Sequence, residues 1–175
     1  MDRSALAARA RRGLRALWSH VFPAHFLRNA RPTPSELGRA GERLVAQRLT
    51  RRGSRVLAKR LVTHAAEIDL LAEHADELWL VEVKTGRLAR PRRPDGPPRW
   101  DPRGLPGRRL GPRQRARLAS AARALLAASD RHRVARILLV EVLLDPRSRA
   151  LECRIRPEAG LEVHKSPLRG RFKPG

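Results

Sequence analysis

Between Glu36 and Arg52 the apolar positions Leu37, Leu44, Val45 and Leu49, with Gly41 among them, recur at three- and four-residue spacing. That period gathers them on one stripe of a helix, and Gly53 is a natural stop. Ser35 reads as the N-cap, with Pro32 and Pro34 breaking whatever comes before. Upstream, Leu6, Ala10, Leu14, Leu17 and Val21 stand at helical spacing among many arginines. This predicts a basic amphipathic helix within an N-terminal extension, residues 1–33, set apart from a main domain over 34–165.

Beyond Gly53 the pattern changes. Ser54–Val62, Ala66–Ala72 and Leu78–Lys84 are short segments rich in Val, Leu and Ile, which predicts three adjacent strands. The polar stretch between the second and third suits a hairpin. Residues 86–112 concentrate Pro, Gly and Arg, so no regular element is expected there, only a long basic loop. Leu118, Ala121, Ala122, Leu125 and Leu126 then mark a second helix over 112–129. Val134–Leu144 reads as a buried strand and 151–157 as a more exposed one, followed by a basic tail, 166–175. Helix, three strands, helix, two strands is the order of an α/β fold with a mixed central sheet flanked by helices.

Charge narrows the choice of partner. The 175 residues hold 39 Lys plus Arg against 17 Asp plus Glu, a formal net charge of +22. Such a field attracts polyanions, and each neutralised phosphate releases counterions. Nucleic acid, DNA above all, is the expected partner; an anionic membrane surface met by the N-terminal helix is a weaker one. The same surplus is also what compositional preference for Arg produces on a surface. Cys153 is the single cysteine, which excludes an internal disulfide framework and a multi-cysteine zinc site, and fits a reducing, cytoplasmic setting. No run approaches the ~18 apolar residues of a membrane-spanning helix. The six histidines are scattered without metal-ligand spacing, and no glycine-rich phosphate loop or nucleophilic triad is present.

One stretch places acids inside otherwise apolar strands. Alternation along a strand puts Glu82 and Lys84 side by side on one face, and likewise Glu67 with Asp69 on the strand before. If the hairpin register levels these faces, several carboxylates meet one amine. Oxygen ligands of this kind suit Mg²⁺ or Mn²⁺, and without a cation their mutual repulsion is costly. A metal on Asp69 and Glu82 could activate a water for attack on a phosphodiester, with Lys84 orienting the water or stabilising the developing charge. The same spacing also fits a half-exposed strand pair with solvated acids.

The ordered set GRAGERLVAQRL, RRGSRVLAKR, AEIDLLA, LWLVEVKTG and GPRQRARLASAARALL, from about Leu37 to Leu144, resembles the YraN family of bacterial proteins, predicted endonucleases similar to Holliday-junction resolvases. The resemblance implies a restriction-endonuclease-like core of the PD-(D/E)xK kind. It implies a site in which the helical Glu42 joins Asp69 and Glu82 as metal ligands, with Lys84 catalytic and Glu67 and Gln114 assisting. Departures fall at Arg48, Ala66, Gly86 and Ala135 and in the length of the Arg/Pro insertion. The expectation is thus a Mg²⁺- or Mn²⁺-dependent endonuclease hydrolysing DNA, branched or junction DNA included. Its alternative is a nucleic-acid-binding protein with the same fold and no catalysis. Resolvase-like cutting of two strands would favour a homodimer, though no segment identifies an interface.

Overall fold

The computed structural model describes residues 3–87, 110–145 and 148–165. The basic Pro/Arg-rich loop expected over 86–112 lies outside these for residues 88–109, as does the C-terminal tail. Nine elements follow in order: α1 Arg3–Val21, α2 Pro23–Asn29, α3 Pro34–Arg51, β1 Arg55–Val62, β2 Glu67–His74, β3 Glu77–Arg87, α4 Pro112–Ala128, β4 Val134–Leu144 and β5 Leu151–His164. The strands form one sheet of order β1-β2-β3-β4-β5. Neighbours are antiparallel except β3 and β4, which run parallel across the α4 crossover. This is the mixed α/β architecture that the periodicities predicted.

Each face of the sheet is covered by one helix, because each helix has one apolar stripe to bury. Ala40, Leu44, Val45 and Leu49 of α3 pack with Leu70, Ala72, Val81, Val83, Val140 and Val142. Leu118, Ala121, Ala122 and Leu126 of α4 pack on the other face with Ile68, Leu78, Leu80, Ile137 and Leu139. β4 is buried along nearly its whole length, which is why its sequence runs apolar rather than alternating.

Three element boundaries differ from the sequence reading. The cap of α3 is Thr33, not Ser35: its hydroxyl accepts from the Glu36 N–H while the Glu36 carboxylate accepts from the Thr33 N–H. Pro34, read as a breaker, occupies the first helical position, where its missing N–H costs nothing. β3 runs on to Arg87, three residues past the expected strand end and two into the expected loop, because β4 supplies ladder partners as far as Leu144. β5 extends to His164 with Pro157 inside it, which an edge strand tolerates.

The N-terminal extension contains two helices, with the break at Phe22 and Pro23 at the first turn of α2. Phe26 and Leu27 are fully buried in the α3 core, and Trp18 meets Phe26 edge-on at 5.3 Å. Arg15 lies over the Phe26 ring and pairs with Glu36 at 2.7 Å, tying α1 to α3. The extension thus contributes core side chains. Its outer stripe, Leu14, Leu17 and Val21, is exposed together with Phe22. Among the described residues no helix is long and apolar enough to cross a membrane.

Candidate functional site

The β2–β3 ladder runs from His74–Glu77 to Leu70–Val81 and stops there, whereas β1 still follows β2 to Glu67. The next residue on β2 is Asp69, and its carboxylate takes the place of a backbone acceptor: the Val83 N–H donates to Asp69 Oδ2 at 2.8 Å. A carboxylate is thereby bolted to the strand that carries Glu82 and Lys84. Where the two strands part, a cleft of about 550 Å³ opens, lined by Asp69, Glu82, Glu67 and Gln114 with Arg60, Arg113, Arg117, Ala66 and Leu118.

Glu82 and Lys84 do share the α4 face, and the ammonium donates to Glu82 Oε1 at 2.5 Å. Gln114, in the first turn of α4, donates its amide to the same oxygen at 2.7 Å. Glu82 is therefore fixed by two donors although only 6% exposed, which answers the need of a buried charge for partners. Glu67 is more exposed and pairs with Arg60 at 2.8 Å. Glu42 reaches the site from α3 and stands 4.0 Å from Arg60. The structure thus gathers the residues singled out from the sequence, although Glu42 and Lys84 do not line the cleft itself.

Burial and crowding push Asp69 and Glu42 in one direction. Asp69 is pushed up to about 6, first by burial and then by the Glu82 charge, against the opposing hydrogen bond from Val83. Glu42 is also raised, by burial first, with Arg60 opposing and Glu67 reinforcing. Carboxylates held near one another in a half-dry cleft resist full ionisation unless a cation joins them. Among the described residues no group of three or more Asp, Glu, His or Cys side chains is assembled as a complete metal site. The donor set is therefore open: Asp69 and Glu82, with Glu42 adding charge that Asp69 feels.

Three features escaped the sequence reading. Glu141 on β4 stands level with Lys84 in the parallel register and is 1% exposed; an acid inside an apolar run was the available signal, the same one that singled out Asp69. Gly41 owes its place to contact: a Cβ there would lie 1.8 Å from Thr85 Oγ1, so α3 presses on β3 one residue beyond Lys84. Arg60, between the paired residues Lys59 and Leu61 of the β1–β2 ladder, has φ +52°, and nothing in a basic strand segment announces that.

No curated protein matches the chain. The sequence pattern of one family, described as Uncharacterised protein family UPF0102, matches residues 41–142, from the glycine against Thr85 through the acid-bearing strands, α4 and most of β4. The match spans more than half of the 175 residues and agrees with the resemblance carried by the motifs, so the chain belongs to the uncharacterised protein family UPF0102.

Proposed function

We propose that this protein is a metal-dependent nuclease that hydrolyses phosphodiester bonds of nucleic acid, DNA in the first place, at the cleft between β2 and β3. The observation that carries the reading is the convergence of Asp69, Glu82 and Lys84 at the point where the two strands separate. Family membership is compatible with it. The net charge of +22 suits a polyanionic substrate.

The donor set fits magnesium or manganese. Magnesium is commonly held by one or two carboxylates with water and substrate phosphate completing the shell. Asp69 and Glu82 would hold it, with Glu42 a further carboxylate on the α3 side. When bound, the ion would supply Lewis-acid polarisation of a phosphate oxygen and a more acidic water. The rest falls to the chain. Val83 N–H fixes one oxygen of Asp69, a residue that lines the cleft. Gln114 and Lys84 fix Glu82 Oε1 and so set the carboxylate plane. Lys84 keeps a positive charge beside the place where negative charge develops on phosphate, and its Nζ can orient the attacking water. The second reading, a binding protein that uses the same cleft without cleavage, is supported by the arginines Arg60, Arg113 and Arg117 that line it.

The deciding measurement is cleavage of duplex, single-stranded and four-way-junction DNA, and of RNA, with Mg²⁺ or Mn²⁺. The expected outcome is metal-dependent nicking that falls at least about a hundredfold in Asp69→Ala and in Lys84→Ala, as loss of a group acting on the transition state implies. Cleavage by wild type no greater than by the Asp69→Ala/Lys84→Ala double variant would sink the catalytic reading. A calorimetric titration with Mn²⁺ adds an independent check: binding to wild type, and none to Asp69→Asn.

A further inference from the structure

Arg60 is the outlier of β1. Its φ of +52° is a left-handed conformation that residues other than Gly, Asn and Asp rarely adopt, at a cost of about 1–2 kcal/mol. Backbone of this kind persists where the surroundings over-determine it, and it gathers at functional sites. Here it puts a guanidinium at the rim of the cleft, within 2.8 Å of Glu67 and 4.0 Å of Glu42. Half-exposed Arg–Glu pairs are worth too little to explain the strain.

Two more arginines line the same cleft from α4. Arg117 donates through Nε to the Ala65 carbonyl at 2.7 Å, which anchors it across from β1. Arg113, in the first turn of α4, lines the cleft beside Gln114. Three planar, permanently charged forks therefore surround the carboxylates, and a guanidinium matches phosphate oxygens in pairs. A cleft built to hold a metal alone has no use for three cations; one that receives a phosphodiester chain does.

We propose that Arg60, Arg113 and Arg117 form a subsite for the backbone phosphates that flank the bond placed between Asp69 and Glu82. Glu67 is the residue that holds Arg60 over the cleft and is a positioning residue, not a metal ligand. The proposal rests on the nucleic-acid reading of the cleft but not on turnover. Arg60 grips a phosphate from the β1 side, Arg117 and Arg113 from the α4 side, so the strand crosses the gap where β2 and β3 part. No base edge is read by this set, and recognition is of the sugar-phosphate chain.

The test is fluorescence anisotropy of the full-length protein in EDTA with a labelled 20-nucleotide single strand and the matching duplex, over a salt series. Arg60→Ala and the pair Arg113→Ala/Arg117→Ala should each weaken binding about fivefold or more and lower the salt slope by about one unit per arginine removed. Arg133→Ala, at the far end of the sheet, should change affinity less than about twofold. Arg60→Gly adds a readout that a merely structural role would reverse: it relieves the left-handed strain, so the melting temperature should hold or rise while binding falls. Glu67→Gln should leave Mn²⁺ affinity unchanged and weaken DNA binding. The subsite is overturned if Arg60→Ala binds like wild type, if Arg133→Ala is equally damaging, or if Arg60→Gly loses affinity only in step with lost stability. Binding that responds as expected, with no cleavage under any metal, would retain the subsite and remove the catalytic reading.

Discussion

At Asp69, burial and the Glu82 charge hold the carboxyl near 6 in the metal-free protein, well above the ~3.9 of an unfolded chain. A raised folded value means stability that is full below about pH 4 and is lost as pH climbs through 6, because ionisation is easier unfolded. Asp69→Asn fixes the neutral form and keeps an acceptor for the Val83 N–H. Chemical denaturation without metal should therefore find the variant more stable than wild type at pH 8, by about 1–2 kcal/mol after allowance for partial solvent screening, and equal at pH 4. A variant less stable at pH 8 would contradict the placement of Asp69. Metal binding to wild type should strengthen from pH 5 to pH 7, since the ion must displace the proton. Gly41 is the other sensitive position: Gly41→Ala puts a methyl into Thr85, and overpacking of this sort costs about 1–3 kcal/mol. A shift in the denaturation midpoint measures it, and an unchanged midpoint would mean that α3 and β3 are not so close.

Among the elements, α2 and the start of α3 are where a dispensable tail and a structural part give opposite outcomes. Phe26 is fully buried between Trp18 and α3, so Phe26→Ala should lose about 3–5 kcal/mol; a solvated basic tail would lose nothing. Removing residues 1–33 would uncover the outer side of α3 and should lower the melting temperature. Thr33→Ala deletes one half of the reciprocal cap and should cost about 1 kcal/mol, read by the same denaturation series. The partner half, Glu36, is held down to about 2 by the Arg15 hydrogen bond first and the Thr33 N–H next. A lowered folded value gives stability that is present above pH ~4.5 and lost as pH falls toward 2. The Thr33→Ala deficit should shrink only slightly on acidification, because the Thr33 hydroxyl loses its bond to the Glu36 carboxylate but still accepts from the Glu36 N–H.

Over the whole molecule the surplus of 22 positive charges should make any binding to a polyanion steeply dependent on salt. Field and site are separable by experiment. Loss of Asp69 and Glu82 should abolish cleavage and leave the low-salt affinity for DNA intact or higher, since two anions leave the cleft. Affinity that disappears with the acids would place recognition in a metal-bridged contact instead. The sheet leaves room for a cleft without a break in the core: β4 is buried along nearly its whole length and β3 over residues 80–83, whereas β2 and β3 pair with each other only as far as Leu70–Val81.

Helix and strand periods, the α/β order and the hairpin were all legible in the chain, because burying one face of each element leaves a repeat of 3.6 or 2 in the sequence. Parity also put Glu82 beside Lys84, as the structure has them. The cap of α3 was legible too, in the Thr33 to Glu36 spacing, but Pro34 competes with it by also reading as a breaker. What no local pattern contained was register and crossing. That β2 leaves β3 at Leu70, that Asp69 then bonds across to Val83, that Gly41 lies on Thr85 and that Arg60 turns left-handed over the cleft are relations between residues distant in sequence. They depend on which strand pairs with which and at what offset, and a one-residue slip would send the same side chains to the opposite face. The sequence by itself determined the elements and the residue types able to do chemistry, whereas only the tertiary structure decided that they meet, because their meeting is a property of the ladder where it ends.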